Sequence, residues 1–320
     1  MKAVILDGFP ANPGDLDWQV VADQVDQLTI YDRTPVDQVV SRIADHDIVI
    51  VNKVVISADI IAACPNIKLI VVSATGYNNI DLEAAKCAGI KVANVPAYST
   101  TTVAQHVFAF ILALTNQVAN FNQSVQRGDW VASPDFCYGH KGAITELAGL
   151  TLGLVGYGDI AQAVARIATA FGMRVIYWNH RPKVVAGVPG VQVEWLDLVS
   201  QADIVSLHVP LTNQTNQMIN QEIFSVMKQT AWLINTARGP LVNQEDLSMA
   251  LKNKQIAGAG IDVIDQEPMP ADHPLLGLDQ VLITPHVAWA SKQARQRLIQ
   301  VVADNIASFK LGQDLNRLEP

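Results

Sequence analysis

The ten residues LGLVGYGDIA, at positions 152–161, constrain the fold of this 320-residue chain more than any other stretch. An apolar run stops there at Gly156, Gly158 and Ala161, in the spacing G-x-G-x-x-A, and an amphipathic segment follows. This order predicts a strand, a tight turn and a helix start. Gly156 permits the turn, Gly158 lets the backbone approach a pyrophosphate, and Ala161 keeps the helix close to the strand. The N–H groups at the helix start would face the phosphates of a dinucleotide, and the alternative is a turn without a ligand.

The composition fits a globular protein of two domains. At 320 residues the chain is long for one domain, and 50% hydrophobic with 16% charged residues suits packed cores. The net charge of −8 argues against a nucleic-acid partner. The longest apolar stretch, Val107 to Leu114, is far shorter than the roughly 18 residues of a membrane span, and the N-terminus does not resemble a signal peptide. We therefore expect a cytoplasmic protein without a membrane partner.

The cysteines give no sign of a structural cross-link. Cys64, Cys87 and Cys137 lie far apart and lack metal-binding spacing. They predict neither a disulfide framework nor a metal site.

The first hundred residues alternate strand-like apolar runs with helical segments, which predicts a parallel α/β domain. A small-residue loop, Ala74, Thr75 and Gly76, follows the fourth run, and a helix is predicted over 79–88. Ligands bind at the carboxyl ends of such strands, so the backbone N–H groups of this loop are candidates for holding a carboxylate. The alternative is a turn with no ligand.

A long helix is predicted over 101–126, after a turn at Pro96 that marks the first domain boundary. Its first half is apolar nearly all round, which requires burial against several neighbours or a second subunit. We expect a symmetric homodimer that buries residues 103–114. His106 lies in this apolar half, and a packed core or interface histidine is favoured over a catalytic one.

About six strand candidates follow the glycine motif, which matches a complete dinucleotide-binding sheet. Loops at the carboxyl ends of these strands should face the cofactor. They contain Asn179, His208, Val209, Pro210, Thr212, Thr236, Ala237, Asp262 and Ala288.

Arg238, Glu267 and His286 follow three of these strand candidates. An arginine can clamp a carboxylate by two parallel hydrogen bonds. A histidine can donate or accept a proton at working pH, and a carboxylate on its other ring nitrogen fixes the ring and favours imidazolium. Each residue alone is more often structural. Together, at the carboxyl side of a nucleotide-binding sheet, they indicate hydride transfer on a 2-oxo or 2-hydroxy acid.

The motifs TLGLVGYGDIAQAVA, HVPLT, INTARG, GIDV, EP and TPHVAWAS stand in the order found in D-isomer-specific 2-hydroxyacid dehydrogenases, and the resemblance covers nearly the whole chain. NKVVISADI, SATGYNNIDLEAA, PDFCY and HVAWAS further resemble the glycerate dehydrogenase and hydroxypyruvate (glyoxylate) reductase branch. The resemblance implies two Rossmann-like parallel-sheet α/β domains, flavodoxin-like catalytic and NAD(P)-binding, with a cleft between them. The catalytic, substrate-binding domain would be 1–99 rejoined by 288–320, and the dinucleotide-binding Rossmann domain would be 100–287.

Carried over by motif, the resemblance gives the candidate residues their roles. Arg238 would bind the substrate carboxylate and carbonyl oxygen, His286 would be the acid/base, and Glu267 would tune it. Backbone groups of 74–76 would hold the carboxylate. Gln105 stands where many relatives have glutamate after Val-Ala. Cofactor contacts would come from Gly156, Tyr157, Gly158, Asp159, Ile160, Asn179, His180, Arg181, His208, Val209, Pro210, Thr212, Thr215, Thr236, Ala237, Arg238, Asp262, His286 and Ala288.

Asn179 stands where NAD enzymes of this fold place an acidic residue for the ribose 2′-hydroxyl, about 20 positions past the glycines. A carboxylate would repel a 2′-phosphate, whereas neutral Asn179 admits it, and Arg181, with His180 or Lys183, is suited to bind it. We therefore expect an NAD(P)-dependent enzyme and favour NADP over NAD about two to one. The alternative is NAD held through Asn179 beside a solvated Arg181.

The reaction implied is reduction of hydroxypyruvate or glyoxylate to D-glycerate or glycolate, or its reverse. Phosphoglycerate or another D-2-hydroxy acid is the alternative substrate. An alternative from another class is a dinucleotide-sensing binding protein or corepressor, since fold alone does not establish activity.

Overall fold

The computed structural model describes residues 1–138, 144–183 and 185–319, which form two compact units. The first unit comprises Met1–Ser99 and Ala290–Pro320, and the second comprises Thr100–Trp289. Each unit is built around one sheet of parallel strands with helices in the connections. The predicted α/β class, with two Rossmann-like parallel sheets, is therefore confirmed.

Residues 1–99 form five strands that alternate with short helices: β1 (Lys2–Ile5), α1 (Gln19–Ala22), β2 (Gln27–Ile30), a 3-10 turn (Val36–Gln38), α2 (Val39–Ile43), β3 (Ile48–Val51), α3 (Ala58–Ala63), β4 (Leu69–Val72), α4 (Leu82–Cys87) and β5 (Lys91–Ala93). The strands are parallel and lie in the flavodoxin-like order β2-β1-β3-β4-β5. Strands β3 and β4 are apolar and buried along their whole length, as strands covered on both faces must be.

The described part of the second unit forms seven strands and six helices: α5 (Thr100–Asn116), α6 (Val118–Gln126), β6 (Thr151–Val155), α7 (Asp159–Ala170), β7 (Arg174–Trp178), β8 (Val191–Gln192), α8 (Trp195–Gln201), β9 (Ile204–Leu207), α9 (Gln221–Val226), β10 (Trp232–Asn235), α10 (Gln244–Lys252), β11 (Gly258–Ile261) and β12 (Val281–Ile283). The strands are parallel, in the order β8-β7-β6-β9-β10-β11-β12. The winding reverses between β6 and β9, and open α/β sheets bind dinucleotides at such a point. Six strands follow the glycine motif among the described residues, in line with the approximate count predicted, and one of them, the two-residue β8, was not found from the sequence.

The prediction of one continuous helix over 101–126 is wrong. Helix α5 ends at Asn116, Gln117 adopts a left-handed backbone with a φ of 53°, and α6 leaves at an angle of 53°. The chain breaks there because a left-handed residue cannot continue a right-handed helix. No single described helix is long and apolar enough to cross a bilayer, and only the bent pair α5–α6 taken together meets the length and composition required.

Helix α5 is covered by its own unit. Gly260 in β11 lets the helix approach the sheet closely, because a Cβ there would lie 2.6 Å from Cγ of Phe110. The apolar character of 103–114, which predicted burial in a dimer, is therefore satisfied within one chain. The buried residues of the helix include Val103, Ala104, Val107, Phe108, Phe110 and Ile111.

Helix α11 (Lys292–Lys310) belongs to the first unit and is tied to its N-terminal residues. The Arg295 guanidinium donates to both carboxylate oxygens of Asp15, at 2.7 and 2.9 Å. This hydrogen bonding lowers the pKa of Asp15 and raises the pKa of Arg295. Nearer the C-terminus, Nδ2 of Asn305 donates to the Asn94 carbonyl at 2.8 Å. Both ends of the sequence therefore build one unit.

Candidate active site

The glycine turn joins β6 to α7. Gly156 has a φ of +89°, and a Cβ on it would lie 2.7 Å from the His208 carbonyl oxygen, so no larger residue fits this turn. Gly158 caps α7, and a Cβ on it would meet no atom within 4 Å. Open space at the N-terminus of a helix of 12 residues fits the pyrophosphate of a dinucleotide, because the free N–H groups there point outward.

The Tyr157 side chain turns into the core. It is only 1% exposed, and its ring stacks on Tyr177 with the centroids 3.7 Å apart. The Tyr157 hydroxyl donates to the Pro189 carbonyl and the Tyr177 hydroxyl to the Lys183 carbonyl, so the pair fastens the loop after β7. Burial raises the pKa of both phenols. Toward a cofactor, Tyr157 therefore offers its backbone and not its ring.

The residues expected to select the cofactor follow β7. Half-buried Asn179 donates through Nδ2 to the Arg181 carbonyl at 2.9 Å, whereas the side chains of His180 and Arg181 are exposed. A cavity of about 430 Å³ lies beside Asn179, and Glu194 and Asp197 also line it. Sequence reasoning missed these two carboxylates because they follow the two-residue strand β8, which has no periodic signal. They belong to the same part of the site as Asn179.

His208, at the end of β9, is neutral at physiological pH. Desolvation lowers its pKa to about 3, and its Nε2 lies 2.9 Å from Oγ of the buried Ser206. The loop that follows is closed by hydroxyls, since Oγ1 of Thr215 donates to the Pro210 carbonyl at 2.7 Å and accepts from the Thr212 N–H at 2.8 Å. His208 therefore gives this loop no positive charge with which to bind an anionic ligand.

Arg238 lies in a loop that packs against the loop carrying Glu267. A Cβ on the adjacent Gly239 would lie 1.8 Å from the Ile264 carbonyl oxygen, so only glycine permits this contact between backbones. Nδ2 of Asn235 donates to the Arg238 carbonyl at 2.9 Å, and Nη1 of Arg238 donates to the Ala237 carbonyl at 2.7 Å. The half-buried guanidinium is thereby held near the carboxyl end of β10.

Glu267 and His286 form a direct pair. Oε2 of Glu267 lies 2.7 Å from Nδ1 of His286, and Oε1 accepts from the Ile264 N–H at 3.2 Å. A carboxylate beside Nδ1 keeps a proton on that nitrogen, which leaves Nε2 to exchange a proton with a ligand. The side chains of His286 and Glu267 are 23% and 36% exposed, so a small molecule can reach them.

Asp262 supports the backbone on which His286 stands. Its side chain is 1% exposed, and its carboxylate accepts from the Thr284 hydroxyl at 2.6 Å and from the N–H groups of Val287 and Ala288, both at 2.9 Å. The His286 N–H donates to the Asp262 carbonyl at 2.8 Å. His286 has a φ of 55°, a left-handed conformation that costs on the order of 1–3 kcal/mol outside glycine. These contacts hold it there.

In the loop 74–76 of the first unit, the carbonyl groups of Ala74 and Thr75 accept hydrogen bonds from the same unit. The Ala74 carbonyl accepts from the Val95 N–H at 3.0 Å, and the Thr75 carbonyl accepts from Nδ2 of Asn94 at 2.7 Å. The N–H groups of Ala74, Thr75 and Gly76 meet no acceptor among the described residues. Consecutive N–H groups left open in this way suit an anion.

The other predicted cofactor residues follow strands of the same sheet. Oγ1 of Thr236 is buried without a hydrogen-bond partner among the described residues, as expected of a group that a ligand completes. The arrangement therefore fits a dinucleotide along the carboxyl edge. Asp159 and Ile160 open α7, Val209 and Pro210 follow β9, Thr236 and Ala237 follow β10, and Ala288 follows β12.

Comparison with known proteins gives consistent matches. A family model described as "D-isomer specific 2-hydroxyacid dehydrogenase, NAD binding domain" matches residues 108–288. The chain is 40% identical over 320 residues to a hydroxypyruvate reductase of Blautia hydrogenotrophica, covering 99% of each protein. It is 41% identical to a glycerate dehydrogenase of Methylorubrum extorquens, covering 88% of each. A solved acyclic imino acid reductase, in complex with NADPH and D-Arg, has a TM-score of 0.88 at 31% identity and covers 99% of this chain and 100% of that one.

Proposed function

Because the chain belongs to the D-isomer specific 2-hydroxyacid dehydrogenase family, we propose that it transfers hydride between a nicotinamide cofactor and a small 2-oxo or D-2-hydroxy acid. The substrate favoured is hydroxypyruvate or glyoxylate, with D-glycerate or glycolate as the product. The observation that carries the proposal is the 2.7 Å contact between Oε2 of Glu267 and Nδ1 of His286. The loop that carries Glu267 also packs against the loop that carries Arg238.

The residues of the second unit supply the proton chemistry. A bound reduced nicotinamide would provide hydride to the carbonyl carbon. Protonated His286 would give the Nε2 proton to the carbonyl oxygen, while the Glu267 carboxylate holds Nδ1–H and stabilises the charged ring. Arg238 would bind the substrate carboxylate and polarise the carbonyl oxygen. In oxidation, neutral His286 would take the hydroxyl proton.

We infer that the loop 74–76 of the first unit is suited to hold a carboxylate. The open N–H groups of Ala74, Thr75 and Gly76 support this role, because three consecutive backbone donors bind an anion without adding a side chain. The carbonyl groups of Ala74 and Thr75 are already hydrogen-bonded within the unit, so they do not compete for the N–H groups that would bind the anion.

Substrate size is tested by a panel of 2-oxo acids. Hydroxypyruvate, glyoxylate, pyruvate, 3-phosphohydroxypyruvate and a bulkier branched 2-oxo acid would be compared by kcat/KM with NADH and with NADPH. We expect hydroxypyruvate or glyoxylate to rank first. If the bulkier acid or 3-phosphohydroxypyruvate ranks first, the assignment to this branch is wrong while the reaction class stands.

For the cofactor we infer a modest preference for NADP over NAD. Asn179 carries no charge, and the exposed Arg181 follows it in a loop closed by the Asn179–Arg181 hydrogen bond. These two residues favour a 2′-phosphate. Glu194 and Asp197 line the neighbouring cavity, and their carboxylates oppose the phosphate. The preference is modest because these effects compete.

Arg181→Ala should weaken NADPH binding by roughly 1.5 to 3 kcal/mol, the contribution of a hydrogen bond to a charged group, and leave NADH binding nearly unchanged. Dissociation constants from fluorescence titration measure both effects. Glu194→Gln should act oppositely and strengthen NADPH binding, whereas Arg166→Ala, an exposed arginine on α7, serves as the charge-matched control. Equal losses for both cofactors in Arg181→Ala, or a wild-type preference for NADH, would refute the inference.

We also infer a homodimer, formed by α6 and the residues after it. This segment is folded on itself, because Nε1 of Trp130 donates to the Phe136 carbonyl at 3.1 Å and the Tyr138 hydroxyl donates to Oγ of Ser124 at 2.6 Å. It nevertheless exposes large apolar side chains, with Val131 and Phe136 90% and 91% exposed. A second copy of the chain would cover them by the symmetry usual for such oligomers.

Light scattering at micromolar concentration should report about twice the 34.7 kDa of one chain. Val131→Asp should shift the mass toward one chain, because a charge would be buried at the contact. Val36→Asp, at an equally exposed valine of the first unit, should leave the mass unchanged. A fully active wild-type monomer would rule out the dimer.

A further inference from the structure

His106 is joined to the catalytic end of the second unit by a hydrogen bond to Thr284, the residue whose hydroxyl binds the Asp262 carboxylate. It projects from α5, where its ring meets Phe110 edge-on at 4.8 Å. Its Nε2 lies 3.0 Å from Oγ1 of Thr284, although 178 residues separate the two in sequence. Thr284 in turn contacts the buried carboxylate of Asp262 at 2.6 Å. The imidazole of His106, on the largely apolar helix α5, therefore contacts the turn that precedes His286.

The direction of each hydrogen bond in this chain is fixed. The Asp262 carboxylate only accepts, so the Thr284 hydroxyl must donate its one proton to Oδ1. The Thr284 oxygen can then only accept from His106, and the bond therefore places a proton on Nε2 of His106. An alanine or leucine at position 106 would leave the Thr284 oxygen without this donor. The chain is ordered from His106 through Thr284 to Asp262.

The end of this chain controls the backbone of the catalytic histidine. The Asp262 carboxylate accepts the N–H groups of Val287 and Ala288, the two residues directly after His286. Its carbonyl accepts the His286 N–H. A rotation of the Asp262 carboxylate would disturb its hydrogen bonds with the N–H groups of Val287 and Ala288, which help to hold the left-handed φ of His286.

We propose that His106 is a positioning residue for His286. By donating through Thr284 to Asp262, it fixes the carboxylate that holds residues 287 and 288, and so keeps the imidazole of His286 aligned with Glu267. The proposal rests on the proposed function, in which His286 transfers the proton. His106 itself does not touch the substrate in this account.

Three variants test the chain. His106→Leu removes the donor and keeps apolar bulk, His106→Gln restores an N–H donor of similar reach, and Thr284→Val breaks the chain while leaving His106 in place. We expect kcat for hydroxypyruvate reduction to fall roughly tenfold in His106→Leu and in Thr284→Val, because small displacements of a catalytic group are costly. His106→Gln should recover most of the loss. The dissociation constant of the reduced cofactor and the thermal midpoint should change little.

Two readouts separate positioning from general support of the fold. The solvent deuterium isotope effect on kcat should rise in His106→Leu, because a misaligned His286 slows proton transfer. The losses in His106→Leu and Thr284→Val should not add in the double variant, since both break the same chain. His46→Leu is the matched control, because His46 also bonds a threonine hydroxyl, Thr29, at 3.2 Å in the first unit. It should keep the wild-type kcat.

The outcomes distinguish failure of this inference from failure of the proposed function. If His286→Ala abolishes turnover while His106→Leu and Thr284→Val keep the wild-type kcat, His106 has no positioning role. Additive losses, or a His106→Gln variant as slow as His106→Leu, would also overturn the inference. If His286→Ala itself is as active as the wild type, the proposed function is wrong and the positioning role falls with it.

Discussion

Replacing His286 by alanine should lower kcat for 2-oxo acid reduction by roughly 10²-fold or more, while the dissociation constant of the reduced cofactor stays nearly unchanged. The reason is that Nε2 of His286 is the group placed to move the proton, since Nδ1 is held by Glu267 at 2.7 Å. Steady-state rates and a fluorescence titration on the same preparation measure the two quantities. Wild-type turnover in this variant would remove His286 from the mechanism.

Glu267→Gln is the companion to that experiment, because it keeps the size of the side chain and removes its charge. Without the carboxylate beside Nδ1, the protonated ring loses its stabilising partner. We therefore expect kcat for reduction to fall in Glu267→Gln, because the uncharged amide stabilises the charged ring less during proton transfer. A wild-type kcat with normal stability would make Glu267 a structural acid only.

Arg238→Ala should lower kcat/KM by roughly 10³-fold, because a guanidinium binds a carboxylate by two charge-assisted hydrogen bonds. We expect both parameters to suffer, with KM rising as carboxylate binding is lost and kcat falling as the carbonyl oxygen loses its positive neighbour. The position of Arg238 supports a direct role, because Gly239 packs its loop onto the backbone at Ile264, whose N–H binds Glu267.

Arg238→Lys provides the control for that variant. Lysine keeps the charge but lacks the planar fork, so it should recover part of the activity and not all of it. Full recovery would show that charge alone matters at this position. An Arg238→Ala variant whose only defect is a lower thermal midpoint would place the residue in the fold and not in the substrate site.

Local sequence patterns predicted the elements with strong periodicity or special turns. The glycine turn at Gly156 was predictable because a positive φ and contact with the His208 carbonyl allow no other residue. The ends of the helices were harder to predict from the sequence. Helix α4 begins at Leu82, later than predicted, because the Asp81 side chain caps it by accepting from the Ala84 N–H at 2.9 Å. The break at Gln117 depends on a left-handed backbone, and no glycine or proline stands there to predict it.

Some residues of the candidate site could likewise be predicted from local sequence patterns, and others could not. Arg238, Glu267 and His286 lie within recognisable sequence motifs and could be predicted. The structure brings Glu267 and His286 into direct contact. Other features come from residues distant in sequence. His106 meets Thr284 only because α5 packs on the face of the sheet against β11, and its position in an apolar stretch predicted a packing role. The buried ring of Tyr157 was equally hidden, because its partner Tyr177 lies on the next strand.

We propose that this chain reduces a small 2-oxo acid with hydride from a nicotinamide and a proton from His286. A direct test is to separate the product formed from hydroxypyruvate and the reduced cofactor on a chiral column and to count it against the cofactor oxidised. We expect one D-glycerate for each cofactor oxidised, with no L-isomer. Tight cofactor binding without turnover of hydroxypyruvate, glyoxylate or pyruvate would contradict it and indicate a dinucleotide-sensing protein instead.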